Sequence, residues 1–167
     1  MTKTQKPKKA DSYHHGDLKK ALIQAALKIL ASEGSRGMTL RQVAKKAGVS
    51  HAAPYAHFKH KEALLAEVAE EGFRLFSEAL EAAASKKLPP WESFLKIGEA
   101  YIDFSRKHPA HFDLIFSDAV PICDDYPDLK RESERSFGVL MGAVARCREA
   151  HLLLKAPDEF FALTAWS

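Results

Sequence analysis

The chain has little cysteine, no long apolar run, and few acidic residues in the region where its basic ones gather. Cys123 and Cys147 are the only cysteines among 167 residues. Two unpatterned cysteines with no secretory leader argue against a disulfide-stapled secreted fold. They read as reduced, buried small hydrophobes of a cytoplasmic protein. No stretch reaches the roughly 18 consecutive apolar residues of a membrane span. The start, MTKTQKPKKADSYHH, is basic but lacks an apolar h-region, so it is not a signal peptide. There is no strand-period alternation, no internal repeat and no low-complexity tract, which leaves helices. Nucleophile elbows, phosphate-cradling glycine loops and paired carboxylates are also missing, so no catalytic residue, cofactor or enzyme activity is expected. His108 and His111 stand three apart with Pro109 between them, and no third ligand has metal spacing; they read as helix-end and surface histidines, with no metal site.

What is present is uneven. Residues 1–64 hold 13 Lys/Arg against 4 Asp/Glu, a net of +9, whereas residues 65–167 hold 12 against 18, a net of −6. A basic front and an acidic rear suit a molecule that presents one end to nucleic acid. The hydrophobic content, 46%, is ample for a core.

The basic front contains the most informative stretch, TLRQVAKKAGVSHAAPYAHFKHKE at 39–62. Thr39 and Gln42 have capping-box spacing. Leu40, Val43, Ala44 and Ala47 form one buried helical stripe. Gly48 permits the left-handed backbone that ends a helix, and Val49 plugs the angle to the next one. Ser50 is placed to cap a second helix running to about Phe58, with Pro54 in or near its first turn. That second helix is crowded with His51, Tyr55, His57, Lys59, His60 and Lys61, side chains suited to phosphates and base edges. The pattern is that of a helix-turn-helix whose second helix enters the major groove.

The rest of the chain reads as helices. Residues 1–16 form a flexible basic arm, and a first helix runs from about Asp17 to Ser32 with Leu18, Leu22, Ala25, Ala26, Ile29 and Leu30 on its apolar face. A long helix spans 61–85, with Leu64, Leu65, Val68, Ala69, Phe73, Phe76 and Leu80 inward. Pro89–Pro90 breaks it. Further helices are expected at about 91–107, 110–116 and 129–150, with a loop at 117–128 and a last helix started by Pro157. The aromatic-rich positions Trp91, Phe94, Tyr101, Phe104, Phe112, Phe116, Phe137, Met141, Phe160 and Trp166 are candidates to line an apolar cavity.

Taken together, the segment 17–65 resembles the DNA-binding domain of TetR-type transcriptional regulators. The resemblance is carried by the amphipathic first helix, its Ser32–Glu33–Gly34 end, GMTLRQVAKKAGVS, Tyr-x-His-Phe at 55–58 and Lys61–Glu62–Ala63–Leu64–Leu65. Tyr13–His14–His15–Gly16–Asp17–Leu18 and His51–Ala52–Ala53–Pro54–Tyr55 resemble a subgroup with a C-terminal Trp-x-x-x-His-Gly motif. The resemblance implies an all-α protein: a three-helix helix-turn-helix domain at 17–64, then a helical ligand-binding and dimerisation domain at 65–167 joined through the long helix. It implies a repressor of palindromic double-stranded DNA, homodimeric when intact, released from its operator by an unidentified small molecule. DNA contacts are then expected from Thr39, Arg41, Ser50, His51, Ala52, Tyr55, His57 and Lys61. Arg41 is the candidate for bidentate contact to guanine, and Tyr55, His57 and Lys61 for phosphate. For ligand, the candidates are Trp91, Tyr101, Phe104, Phe112, Phe116, Phe137, Met141 and Trp166. The chain stops at Ala165–Trp166–Ser167, where Trp166 matches the start of the subgroup's motif and the rest is absent, so truncation of the dimer helices is expected. The alternative is a helical ligand-binding or assembly module whose DNA regulation is impaired by that incomplete dimer.

Overall fold

The computed structural model describes residues 15–120 and 124–152. The expected arm at 1–16 lies almost wholly outside them, as do the helix after Pro157 and Trp166. Among the described residues six α-helices follow one another: α1 (His15–Glu33), α2 (Leu40–Ala47), α3 (Lys61–Ala83), α4 (Pro90–Lys107), α5 (Pro109–Ile115) and α6 (Pro127–Glu149). A 3-10 helix, Ala53–Ala56, lies between α2 and α3. There are no strands among the described residues.

Local chemistry sets the ends of the first elements. Gly34, at φ 73°, closes α1. Thr39 Oγ1 accepts from the Gln42 amide at 3.2 Å, and the Thr39 amide donates to Gln42 Oε1 at 2.8 Å. This reciprocal pair satisfies two donors that a helix start leaves open. At the other end Gly48 takes φ 72°. The Val49 amide reaches the Ala44 carbonyl and the Gly48 amide reaches Lys45, the bonding of a Schellman cap.

The second helix of the pair departs from expectation. It is not an α-helix from Ser50 to Phe58 but a turn followed by four residues of 3-10 helix. Pro54 has no N–H, so an i→i−4 bond to the Ser50 carbonyl cannot form. The Ala53, Tyr55 and His57 amides instead bond three residues back. Ala52, not Ser50, occupies the N-cap, and no side chain caps it.

Beyond His60, which accepts from the Ala63 amide and caps α3, packing takes over. Leu64, Leu65, Val68, Ala69, Phe73, Phe76 and Leu80 are all buried along α3. α3 is shared by both halves, and one apolar core runs from Leu22, Met38 and Phe58 through α3 to Phe104 and Leu129. Phe76 meets the rings of both Tyr101 and Phe104, and Leu80 lies near Phe94 and Ile97, so α4 runs antiparallel to α3. Ser77 bonds the Glu132 carbonyl, Glu81 pairs with Arg135, and the Ser85 carbonyl accepts from Arg146. Those pairs advance together, so α6 runs parallel to α3. α5 is wedged against α1, α3 and α4, and it comes so close to α3 that a Cβ on Gly72 would stand 2.9 Å from Ile115 Cγ2.

Candidate DNA-binding surface and apolar cavity

Thr39, Arg41, Ser50, His51, Ala52 and Tyr55 are all exposed, and Tyr55 keeps 55% of its surface open. An exposed tyrosine on a four-residue helix has no packing role to explain it, which makes it available to a phosphate. Val49 and Phe58 pack inward, and Phe58 is 1% exposed. Those inward residues fix how the 3-10 turn sits on α2.

The other sequence candidates are placed differently. The Thr39 hydroxyl donates to Gln42 Oε1 at 2.9 Å while accepting from the Gln42 amide, so it is spent on the cap. What the cap leaves free at the start of α2 is backbone: the Leu40 and Arg41 amides, an anion-favouring pair. His57 is half-buried, its ring 6.2 Å from Phe58, and it lines a crevice shared with Glu70, Tyr126 and Asp128. Lys61, also half-buried, borders a groove with Ser35, Arg36, Glu62 and Asp118.

The acidic half holds a cavity of about 320 Å³ among α3, α4 and α6. Leu80, Phe94, Ile97, Gly98, Tyr101, Ile102 and Leu140 line it. Its mouth is marked by Ile102, 51% exposed. Tyr101 is the one lining residue with a polar side chain, and burial pushes its phenol pKa up.

Both halves of the chain have matches among known proteins. Residues 22–68 match the family described as bacterial regulatory proteins, tetR family, and residues 94–167 match the tetracyclin repressor-like C-terminal domain. The chain belongs to the tetR family. Its segment of 78 residues is 36% identical to the tetracycline repressor protein class C of Escherichia coli, covering 47% of this chain and 34% of that protein. The chain spans about half or less of the length of the curated relatives it matches first. A structure of a protein with unknown function from Rhodococcus sp. RHA1 is 30% identical, with a TM-score of 0.71, and the match covers 94% of this chain and 81% of that one. AibR, solved in complex with isovaleryl coenzyme A and operator DNA, shares the fold at a TM-score of 0.75 and 16% identity, over 89% of this chain and 82% of that one.

In this tetR-family chain the cavity draws on few of the sequence's ligand candidates. Tyr101 lines it. Phe104 is buried in the core, and Phe112 and Phe116 join the ring cluster around Phe76 and Tyr101. Trp91 is exposed, stacked 5.6 Å from Phe94, and Phe137 and Met141 are half-buried beside Leu140. Trp166 lies outside the described residues. Rings in this half pack largely on rings, and the lining of this cavity is mostly aliphatic, with Leu80, Ile97, Ile102 and Leu140. A signal was available in the spacing of α4, where Phe94, Ile97/Gly98 and Tyr101/Ile102 fall at successive turns of one face.

His111 corrects another expectation. It is buried at 7% exposure, not on the surface, because α5 presses it against Gly72 of α3. Desolvation lowers its pKa, the nearby Glu71 opposes this, and His108 adds to it. Its Nε2 has no hydrogen-bond partner. Among the described residues no group of three or more His, Cys, Asp or Glu is placed to hold a metal, and no helix is long and apolar enough to cross a membrane. Cys147 is buried and its thiol pKa is pushed up by desolvation.

Proposed function

We propose that the chain is the DNA- and effector-binding part of a homodimeric transcriptional repressor that acts in the cytoplasm. The reading rests most on one observation: a helix-turn-helix with both caps of α2 formed carries exposed Arg41, His51 and Tyr55 on the half of net charge +9. Arg41 reads a guanine; Tyr55, Lys61 and the α2 amides hold phosphates; Ala52 packs on a thymine methyl. The Trp-x-x-x-His-Gly subgroup remains our assignment for the C-terminal half, on the strength of 13–18, 51–55 and Trp166.

The cavity supplies the control. It borders α3, and α3 begins at Lys61, a few residues after the 3-10 helix that ends at Ala56. An effector that favours a different setting of α3 against α4 and α6 shifts the paired helix-turn-helix units away from the one-turn spacing of about 34–36 Å that a palindrome requires. DNA affinity then falls by the effector's differential affinity for the two settings.

The test is selection of bound fragments from random DNA, followed by titration at several salt concentrations. A palindrome with half-sites one turn apart is expected. Arg41→Ala should cost about 1–3 kcal/mol on that site and relax one base position, whereas Lys61→Ala should weaken all sequences alike and lower the salt slope by about one. Retention with no sequence preference and no salt dependence would refute the reading.

A further inference from the structure

We infer that the cavity among α3, α4 and α6 takes an uncharged, apolar effector and excludes one that buries an anionic group there. This deepens the function proposed above and rests on its reading of the cavity as the effector site. The cavity's size, about 320 Å³, is at the lower end for small-molecule clefts. Its chemistry is one-sided. Leu80, Ile97, Ile102 and Leu140 offer only hydrocarbon, and Phe94 offers a ring stacked on Trp91. The Tyr101 phenol stays neutral, and the partners of its side chain are the rings of Phe76, Phe112 and Phe116.

Among the described residues, the cations nearest in sequence to the lining are already engaged. Lys96, next in sequence to Ile97, donates to Glu99 at 2.6 Å. Arg135, on α6 before Leu140, is held by Glu81 and Glu132. Arg146 spends its guanidinium on the Ser85 and Leu88 carbonyls at 3.1 and 3.0 Å, tying the α3–α4 turn. A buried anion would therefore lose its hydration and gain no partner, which is strongly disfavoured. A neutral hydrophobe loses only the cost of wetting.

Gly98 gives the test. Gly98 lines the cavity at its exposed rim, and a Cβ placed there meets nothing within 4 Å, so a larger side chain fits at the mouth without disturbing the helices. Two fluorescent probes share one skeleton: N-phenyl-1-naphthylamine is neutral, and 8-anilinonaphthalene-1-sulfonate carries an anion. We expect the neutral probe to bind the full chain at least about tenfold more tightly, a difference of about 1.4 kcal/mol. Gly98→Leu should remove that binding. Gly138→Leu, at an exposed α6 position where a Cβ also meets nothing, should leave it unchanged. Ile102→Lys, adding a cation at the exposed mouth, should narrow the gap between the probes. Equal affinity for the two probes, both lost in Gly98→Leu, would overturn the charge inference and leave the cavity as the effector site, and so would a gap that Ile102→Lys does not narrow. Failure of both probes to bind, or binding untouched by Gly98→Leu, would overturn the cavity reading and the inference together.

Discussion

The α2 hairpin and the α3–α4–α6 bundle hold their shapes by different means. α2 is eight residues long, too short to persist alone, and what defines it lies within the short segment 39–49: Thr39 and Gln42 at one end, Gly48 and Val49 at the other. The bundle shows few such devices. α4 begins at Pro90 and α6 at Pro127, and no side chain caps either one. Its order comes from distant pairs such as Ser77 with Glu132 and Phe76 with Phe104. Thus the end proposed to read DNA is fixed by short-range chemistry, and the end proposed to sense ligand by packing that can be rearranged. A regulator of the kind proposed needs that division, since an effector can repack an interface more readily than it can undo a cap.

The strongest way to break the comparison is at Phe76, which is fully buried at the meeting of α3, α4 and α5's ring cluster. Phe76→Ala should cost about 3–5 kcal/mol in a denaturant titration, with the loss of near-ultraviolet signal from the bundle preceding that of helix content. Next is Gly72, whose substitution by Ala sets a methyl against Ile115 and His111. We expect a loss of about 1–3 kcal/mol from overpacking, and restoration of part of it by Ile115→Val, which trims the clashing side chain. No rescue would mean that the α3–α5 contact is looser than the 2.9 Å approach implies.

Effects in the α2 hairpin should be smaller. Thr39→Ala removes the cap and should cost about 1 kcal/mol. Thr39→Ser should restore it, and both results can be read by thermal melting. If Thr39→Ala lowers DNA affinity beyond what its melting explains, the hydroxyl also meets phosphate. The smallest expected effect is that of pH. The folded-state pKa of His111 lies below its ordinary 6.5, so the unfolded chain binds a proton more readily than the folded one. Stability should be complete above about pH 6.5 and fall as pH drops from there toward the depressed folded value. His111→Gln should flatten that acid slope in melting curves, with Glu71 and His108 left in place. A slope unchanged by the substitution would assign it to other groups.

Much of the chain was legible before any coordinates. The α3 stripe from Leu64 to Leu80 is buried as its spacing requires, because a period of 3.6 leaves little choice of face once one side is apolar. The ends of α1, α2, α3 and α4 at Glu33, Ala47, Ala83 and Lys107 fall within about two residues of those expected at Ser32, Gly48, residue 85 and residue 107. The second helix of the hairpin is shorter than the expected run from Ser50 to about Phe58, since the missing N–H of Pro54 removes the bond back to the Ser50 carbonyl. Sequence spacing alone does not show that Leu95 and Ile102 of α4 stay exposed.

Sequence by itself determined the all-helical class, the caps of α2, the inward face of α3 and the charge split between the halves. Each depends on residues a few positions apart or on simple composition, where backbone geometry and counting suffice. Only the tertiary structure decided which apolar residues become core and which become cavity. Phe104, Phe112 and Phe116 find ring partners, whereas Gly98, Ile102 and Leu140 border empty space. That outcome depends on the parallel setting of α6 on α3 and the antiparallel setting of α4, contacts between residues dozens of positions apart. It likewise turned His111 from an apparent surface histidine into a buried one, because the closeness of α5 to Gly72 is a property of the pair and of neither helix alone.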